Sequence, residues 1–284
     1  NPLNEAGGFQ VTSTVLPADE FPQFRSWKAG DYVGAAGPYE PVEGKWYVAG
    51  THQDSLYRRL TRTIDLTSVT AAQAPALQAQ LSFSTETGYD HVIVEARTEG
   101  GDDWTTLPDR NGRTSSAVPT ECEAGYFLAM HPHLRHYLTG GNPCTATGSS
   151  GRWNSFTGES GGWIPAAFDL SAYAGKKVEV SIAYVSDPFT GGTGLFVDDT
   201  KVTTSGGVLD SEGFESGLGP WAIRGAPDGS PGNATEFVRT EALIDSVSAV
   251  ATRDTVLLGF GIEQTPAPAA RAALIGAALR HLLR

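Results

Sequence analysis

Three segments of the chain alternate apolar and polar residues with the period of a β-strand. They are LQAQLSFST (77–85), HVIVEART (91–98) and KVEVSIAYVSD (177–187). Because successive side chains of a strand point to opposite faces, each segment predicts a strand with one face in a core. Further strand-like runs occur within 46–66 and at 194–202, and the frequent residues Gly and Pro (34 and 17 in all) separate the runs with turns.

This pattern predicts an all-β fold, a jelly-roll β-sandwich followed by a C-terminal strand-helix element. We expect a lead-in at 1–15, the sandwich at 16–205 and a further segment at 206–284. The end of that segment, PAARAALIGAALRHLLR (268–284), has Ala, Leu and Ile at helical spacing. A strand at 254–263 that runs directly into this helix is typical of the end of an α/β domain whose first part lies upstream.

The charge and hydropathy of the chain exclude two classes of partner. The formal net charge is −12 over 284 residues, and no Lys/Arg cluster forms a stripe that could neutralise phosphates. No run approaches the ~20 consecutive apolar residues of a membrane helix. We therefore expect neither a nucleic-acid partner nor a membrane span.

Cys122 and Cys144 are the only cysteines, and both lie in a long polar segment, 108–162, that is rich in Gly and Pro. They form no CxxC motif of the kind that binds zinc. A disulfide is the favoured interpretation. It would pin the long segment and indicate an oxidising, extracellular compartment. Two buried free thiols are the alternative.

The chain has no HExxH, GxSxG or Walker motif. Three histidines fall in HPHLRH (131–136), where the proline predicts a loop, so we interpret them as structural or surface residues and not as zinc ligands. Asp198 and Asp199 are adjacent on a predicted strand and would point to opposite faces, which excludes a facing catalytic pair. Two interpretations remain for them: a structural calcium ion, which accepts oxygen ligands in irregular geometry, or plain solvation.

Six stretches along the chain together form a collinear pattern: YDHVIVEARTEGGDDWTTLPDRNGRTS (89–115), the two cysteine segments flanking HPHLRHY, SGGWIPAAFDLSAYAGKKVEVSIAYVSD (160–187), GLFVDDTKV (194–202), FESGLGPW (214–221) and DTVLLGFGIE (254–263). In this order they resemble the C-terminal region of secreted bacterial zinc carboxypeptidases. The central part also resembles the MAM-like β-sandwich of immune inhibitor A metallopeptidases.

The resemblance implies a secreted, non-catalytic accessory region that stabilises, positions or targets a zinc carboxypeptidase. Its partner would be the catalytic peptidase domain of the same parent protein, or an extracellular protein or glycan. Those peptidases hold zinc with a His-x-x-Glu motif and a distant histidine, and no histidine of this chain is followed by Glu three residues later. Neither zinc nor catalysis is therefore expected within this chain.

The resemblance also bears on the calcium interpretation, because related jelly-roll modules hold a structural calcium ion near their first and last strands. On this sequence that nominates Asp19 or Glu20 together with Asp198 and Asp199. The alternative function is an extracellular carbohydrate- or surface-binding module. It predicts a row of exposed Trp and Tyr side chains, for which the chain has six Trp and nine Tyr residues.

Overall fold

The computed structural model of the protein describes residues 41–241, 249–251, 255–258, 262 and 268–283. The chain divides into two compact units, one of which is Val33–Glu241. The described residues after 241 belong to the other unit. The lead-in at 1–15 lies outside the described residues.

The described part of the larger unit is a sandwich of two antiparallel β-sheets, which confirms the predicted all-β fold. Its strands are β1 (Tyr47–Thr51), β2 (Tyr57–Asp65), β3 (Ala76–Ser84), β4 (His91–Thr98), β5 (Thr105–Thr106), β6 (Ile164–Asp169), β7 (Lys177–Val185), β8 (Gly194–Thr204), β9 (Gly207–Glu212), β10 (Ala222–Arg224) and β11 (Val238–Thr240).

The first sheet has the strand order β11-β1-β8-β3-β6, with β9 also paired to β8, and the second has the order β10-β2-β7-β4-β5. Apart from the pairs β4-β5 and β8-β9, neighbouring strands are not consecutive in sequence, so most pairings are long-range. Three strands that follow residue 205, namely β9, β10 and β11, also belong to these sheets.

The main core lies between the sheets, and the faces that the period-two pattern predicted line it. Burying these apolar side chains supplies the main favourable free energy of folding. The apolar residues at alternate positions of the three segments are all buried in this core: Leu77, Ala79, Leu81 and Phe83 of β3, Val92, Val94 and Ala96 of β4, and Val178, Val180, Ile182 and Tyr184 of β7.

The long segment between β5 and β6 builds a second core on the outer face of the second sheet. It contains the helix α1 (Tyr126–Met130) and two 3-10 turns, Thr120–Cys122 and Pro132–His136. The disulfide between Cys122 and Cys144 is present and buried there, as predicted. The second core combines sheet residues Tyr57, Ile93, Ala183 and Val185 with segment residues that include Phe127, Leu134, Tyr137 and Trp153.

In the other unit, β12 (Ala249–Ala251) pairs antiparallel with β13 (Val256–Leu258), and a helix, α2, spans Pro268–Leu282. This confirms the predicted C-terminal helix, with Arg280 and His281 in its last turn. No helix in the described part of the chain has the length and apolar character needed to cross a membrane.

Candidate functional site

The sequence-predicted calcium ligands Asp198 and Asp199 lie on β8, where its pairing with β3 shifts register between Gln78 and Gln80. Asp199 has a positive φ of 43°, which is unusual for a residue with a side chain. A bulge of this kind inserts one extra residue into a strand and changes which face the following residues occupy. Leu195 and Val197 face the core before the bulge, and Val202 faces it afterwards.

The Asp198 carboxylate accepts hydrogen bonds from two main-chain amides. Its Oδ2 accepts a hydrogen bond from the amide of Val42 (2.7 Å), and its Oδ1 accepts one from the amide of Asp199 (2.7 Å). Burial raises the pKa of Asp198 to about 6, although the amides of Val42 and Asp199 oppose that shift. Asp199 forms an ion pair with Lys201 (2.8 Å).

Asp19 and Glu20, the other two predicted calcium ligands, lie outside the described residues. Within the described ranges, no group of three or more His, Cys, Asp or Glu side chains is placed so that it could hold a metal ion. Calcium at Asp198 and Asp199 stays a prediction.

A polar cleft of about 240 Å³ opens on the outer face of the first sheet, beside the bulge. Its lining includes Gln78 and Gln80 of β3, Asn111, and the pair Asp199 and Lys201. Asn111 donates to the main-chain oxygen of Pro165 (3.1 Å) and to Asp109 (3.2 Å). The cleft is small and has no aromatic side chain in its lining.

The three histidines of HPHLRH take three separate partners. Nε2 of His131, which is buried, lies 3.1 Å from the main-chain oxygen of Ser186. His133 lies 3.5 Å from the carboxylate of Glu95, and His136 is 2.8 Å from the hydroxyl of Ser150. Most of the segment is a 3-10 turn, which is irregular structure as the proline predicted.

The Glu95 cluster is a buried hydrogen-bond network in the second core. Oε2 of Glu95 accepts hydrogen bonds from the hydroxyls of Tyr57 (2.7 Å) and Tyr137 (2.8 Å), and His133 lies beside both Glu95 and Tyr137. Burial pushes the pKa of Glu95 up, but its hydrogen bond and charge interaction with His133 outweigh burial, so the pKa lies below its ordinary value.

Three buried carboxylates, Asp90, Glu121 and Asp187, lie at the end of the second sheet, and we call them the Glu121 cluster. All three are at most 2% exposed. Asp90 accepts a hydrogen bond from the hydroxyl of Tyr184 (2.9 Å), and Nδ1 of His52 is 3.3 Å from the same oxygen. The sequence analysis did not identify this group, because β4, β7 and the disulfide segment bring together residues that are far apart along the chain.

These features define a disulfide-pinned β-sandwich with two cores and buried acidic clusters. No protein-family profile matches the chain. Two of its relatives are the Pre-pro-metalloprotease PrtV of Vibrio cholerae, 26% identical over 180 residues, and Immune inhibitor A of Bacillus thuringiensis, 26% identical over 176 residues. Each match covers 62% of this chain.

The matches cover only 15% of PrtV and 20% of Immune inhibitor A. The chain is thus similar to a minor part of two bacterial proteins, the first of which is named as a metalloprotease precursor. This agrees with the sequence-based expectation of a region of a larger peptidase.

Proposed function

We propose that the chain is a non-catalytic accessory region of a secreted zinc peptidase, and that it stabilises, positions or targets the catalytic domain of the same parent protein. The observation that carries the proposal is the similarity to PrtV and Immune inhibitor A, which extends over most of this chain but a small share of each relative. The buried disulfide supports an oxidising, extracellular location.

Two finer assignments rest on the resemblance of the sequence alone. One is that the parent is a carboxypeptidase, and the other is that the sandwich is a MAM-like jelly roll. Because no histidine of this chain precedes a glutamate by three residues, a zinc site of the carboxypeptidase kind would lie in another part of the parent protein.

The carbohydrate-binding alternative receives less support. A sugar-stacking surface needs exposed aromatic rings, but Trp104, Trp153 and Trp221 are at most 4% exposed. Trp46 and Trp163 are half-buried, and Trp27 lies outside the described residues. Phe189 and Tyr126 are the exposed aromatic side chains in the described part of the chain, and two residues do not make a row.

The test measures peptidase activity of the purified chain alone, and the properties of the peptidase domain of the same parent protein with and without this chain. We expect the chain alone to release no product from peptides or casein in the presence of zinc. Joined to the peptidase domain, it should raise that domain's Tm, its yield of active enzyme or its retention on an extracellular surface. Peptide hydrolysis by the chain alone, or a gene that encodes no His-x-x-Glu peptidase domain beside it, would contradict the proposal.

A further inference from the structure

Two exposed aromatic side chains lie next to one another at the end of the second sheet. Phe189 is 71% exposed and Tyr126 is 38% exposed. Phe189 lies in the loop between β7 and β8, and Tyr126 is the first residue of α1. The buried carboxylate of Asp187 joins them, because Oδ1 accepts a hydrogen bond from the amide of Phe189 (3.0 Å) and Oδ2 accepts one from the hydroxyl of Tyr126 (3.4 Å). We call Phe189 and Tyr126 the aromatic pair.

His52 holds the loop that carries Phe189. Its amide donates a hydrogen bond to the main-chain oxygen of Thr193 (3.1 Å), and its Nε2 lies 3.3 Å from the main-chain oxygen of Phe189. Its ring also packs directly against Gly191, where an added Cβ would lie only 1.9 Å from Nδ1. The main chain on both sides of Phe189 is therefore held in place while the ring lies in solvent. A side chain positioned in advance loses little conformational entropy when it binds a partner.

The sandwich does not use the ring of Phe189 for its own packing. Phe189 is part of neither core, whereas Phe127, Phe156 and Phe168 are buried in one or the other. Single exposed apolar residues are normal on a soluble protein. Adjacent aromatic rings on a main chain that is held in place are instead typical of the anchors of protein interfaces. The aromatic pair therefore has the character of a docking surface.

The charge around the aromatic pair is negative. Asp54, whose side chain is 62% exposed, lies 3.3 Å from the same Nε2 of His52 that contacts the Phe189 loop. Glu123 is exposed three residues before Tyr126. In the described part of the chain, no Lys or Arg forms an ion pair with either of these carboxylates. Because aromatic faces attract cations and opposite potentials favour docking, a surface that carries Arg or Lys complements this one.

We propose that the aromatic pair, flanked by Asp54 and Glu123, docks this chain onto the peptidase domain of its parent protein, at a surface of that domain where Arg or Lys side chains surround an apolar pocket. The inference rests on the proposed function, which names that domain as the partner. The acidic flank also agrees with the net charge of −12 of the whole chain, which favours a basic partner over an acidic one.

The test measures hydrogen exchange in the intact parent protein and in this chain alone. Docking should slow exchange of the amides of residues 190–192 in the parent protein by at least about tenfold relative to the chain alone. Phe189→Ser in the parent protein should return these amides to the rate of the chain alone and shorten the half-life of peptidase activity on heating. Val208→Ser is the matched control, because Val208 is 57% exposed on β9 of the other sheet, and it should change neither readout.

The Tm of this chain alone separates docking from folding. Phe189 and Val208 are both exposed, so both substitutions should leave that Tm unchanged to within about 2 °C. Equal exchange of residues 190–192 in the parent protein and in the chain alone would overturn the inference. The proposed function would still stand if deleting this whole region shortened the half-life of the peptidase activity. If that deletion had no effect on half-life, yield of active enzyme or surface retention, both would fall.

Salt and self-association test the chemistry of the partner. Raising NaCl from about 0.05 to 0.5 M should speed exchange of the protected amides in the parent protein, since screening weakens contacts between opposite charges. The double variant Asp54→Asn, Glu123→Gln should reduce this salt dependence. Protection that does not change with salt would contradict a basic partner surface. Dimerisation of this chain alone that Phe189→Ser abolishes would assign the aromatic pair to a second copy and overturn the inference.

Discussion

Glu95 and Glu121 are both glutamates with at most 2% of their surface exposed, yet their pKa values shift in opposite directions. The pKa of Glu95 is lowered, because donors from Tyr57, Tyr137 and His133 converge on one oxygen. The pKa of Glu121 is raised to about 8 by burial among other carboxylates. Burial alone therefore does not decide the charge of a glutamate, and the supply of donors does.

The two glutamates also differ in what their removal should do to the protein. Glu95 satisfies three other polar groups, so its loss leaves those groups buried without an acceptor. The oxygens of Glu121 accept no hydrogen bond from another residue, so its replacement leaves no buried donor unsatisfied and removes an unfavourable charge only where the pH is high enough to ionise it. Three measurements test this contrast, and we give them from the largest expected effect to the smallest.

Glu95→Ala should lower the free energy of unfolding by about 3–5 kcal/mol, because it leaves the hydroxyls of Tyr57 and Tyr137 and the ring of His133 without their shared acceptor. Urea unfolding near neutral pH measures the change. Glu99→Ala is the control: Glu99 is exposed just beyond the same strand and should change stability by less than about 0.5 kcal/mol. A loss below about 1 kcal/mol in Glu95→Ala would mean that the network contributes little.

The double variant Cys122→Ser, Cys144→Ser should lose about 3 kcal/mol in the chain-entropy description, since the cysteines lie 22 residues apart. The loop that they close begins directly after Glu121 and contains His133 and Tyr137, both of which contact the carboxylate of Glu95. Reductant should destabilise the native chain similarly and leave the double variant unchanged. Equal stability of the native chain with and without reductant would exclude this role for the disulfide.

Local patterns predicted the strands, because the alternation of a strand depends on residues near one another in sequence. The disulfide followed instead from the presence of just two cysteines and the absence of a CxxC motif. The period-two rule correctly placed Val92, Val94 and Ala96 in the core. It could not show that the opposite face, which bears Ile93 and Glu95, is covered too, because that depends on how residues of the segment at 108–162 pack. The aromatic residues inside that polar segment were the available signal.

The Glu95 cluster, the Glu121 cluster and the bulge in β8 could not be predicted from local sequence, because each depends on residues that are far apart along the chain. Asp90 and Asp187 meet because β4 pairs with β7, and Glu121 joins them through a turn whose position no local pattern specifies. The period-two rule also gave no indication of the positive φ at Asp199, since a bulge arises from a mismatch between two strands and not from the residues of one.

Other buried groups also make the stability of the protein depend on pH. Comparing a variant with the native chain at each pH cancels the contributions that the substitution does not change. Burial lowers the pKa of His91 to about 3 and that of His131 to about 4, so both decrease stability as pH falls below about 6.5. Burial raises the pKa of Asp90 and Asp198 to about 6, so both decrease stability as pH rises towards that value. The contributions of His91, His131 and Asp198 are common to the native chain and a variant that changes only Glu121, whereas Asp90 interacts with Glu121 and its contribution changes with it.

Glu121→Gln should therefore become more stable relative to the native chain as pH rises from about 4.5 to about 8. A carboxyl group whose folded pKa lies above its unfolded value holds its proton longer in the folded state, so stability falls as pH rises between the two values. Below about 4.5 Glu121 is protonated in both the folded and the unfolded state, and the difference in stability should be smallest.

Glu95→Gln should show the opposite trend. The pKa of Glu95 is lower in the folded state than in the unfolded state, so Glu95 stabilises the native chain above its unfolded pKa, and this stability is lost as pH falls below that value. Urea midpoints from about pH 8 down to well below about 4.5 measure both trends, because the change for Glu95→Gln falls below the unfolded pKa of Glu95. Parallel profiles for the two variants would contradict the contrast between the clusters.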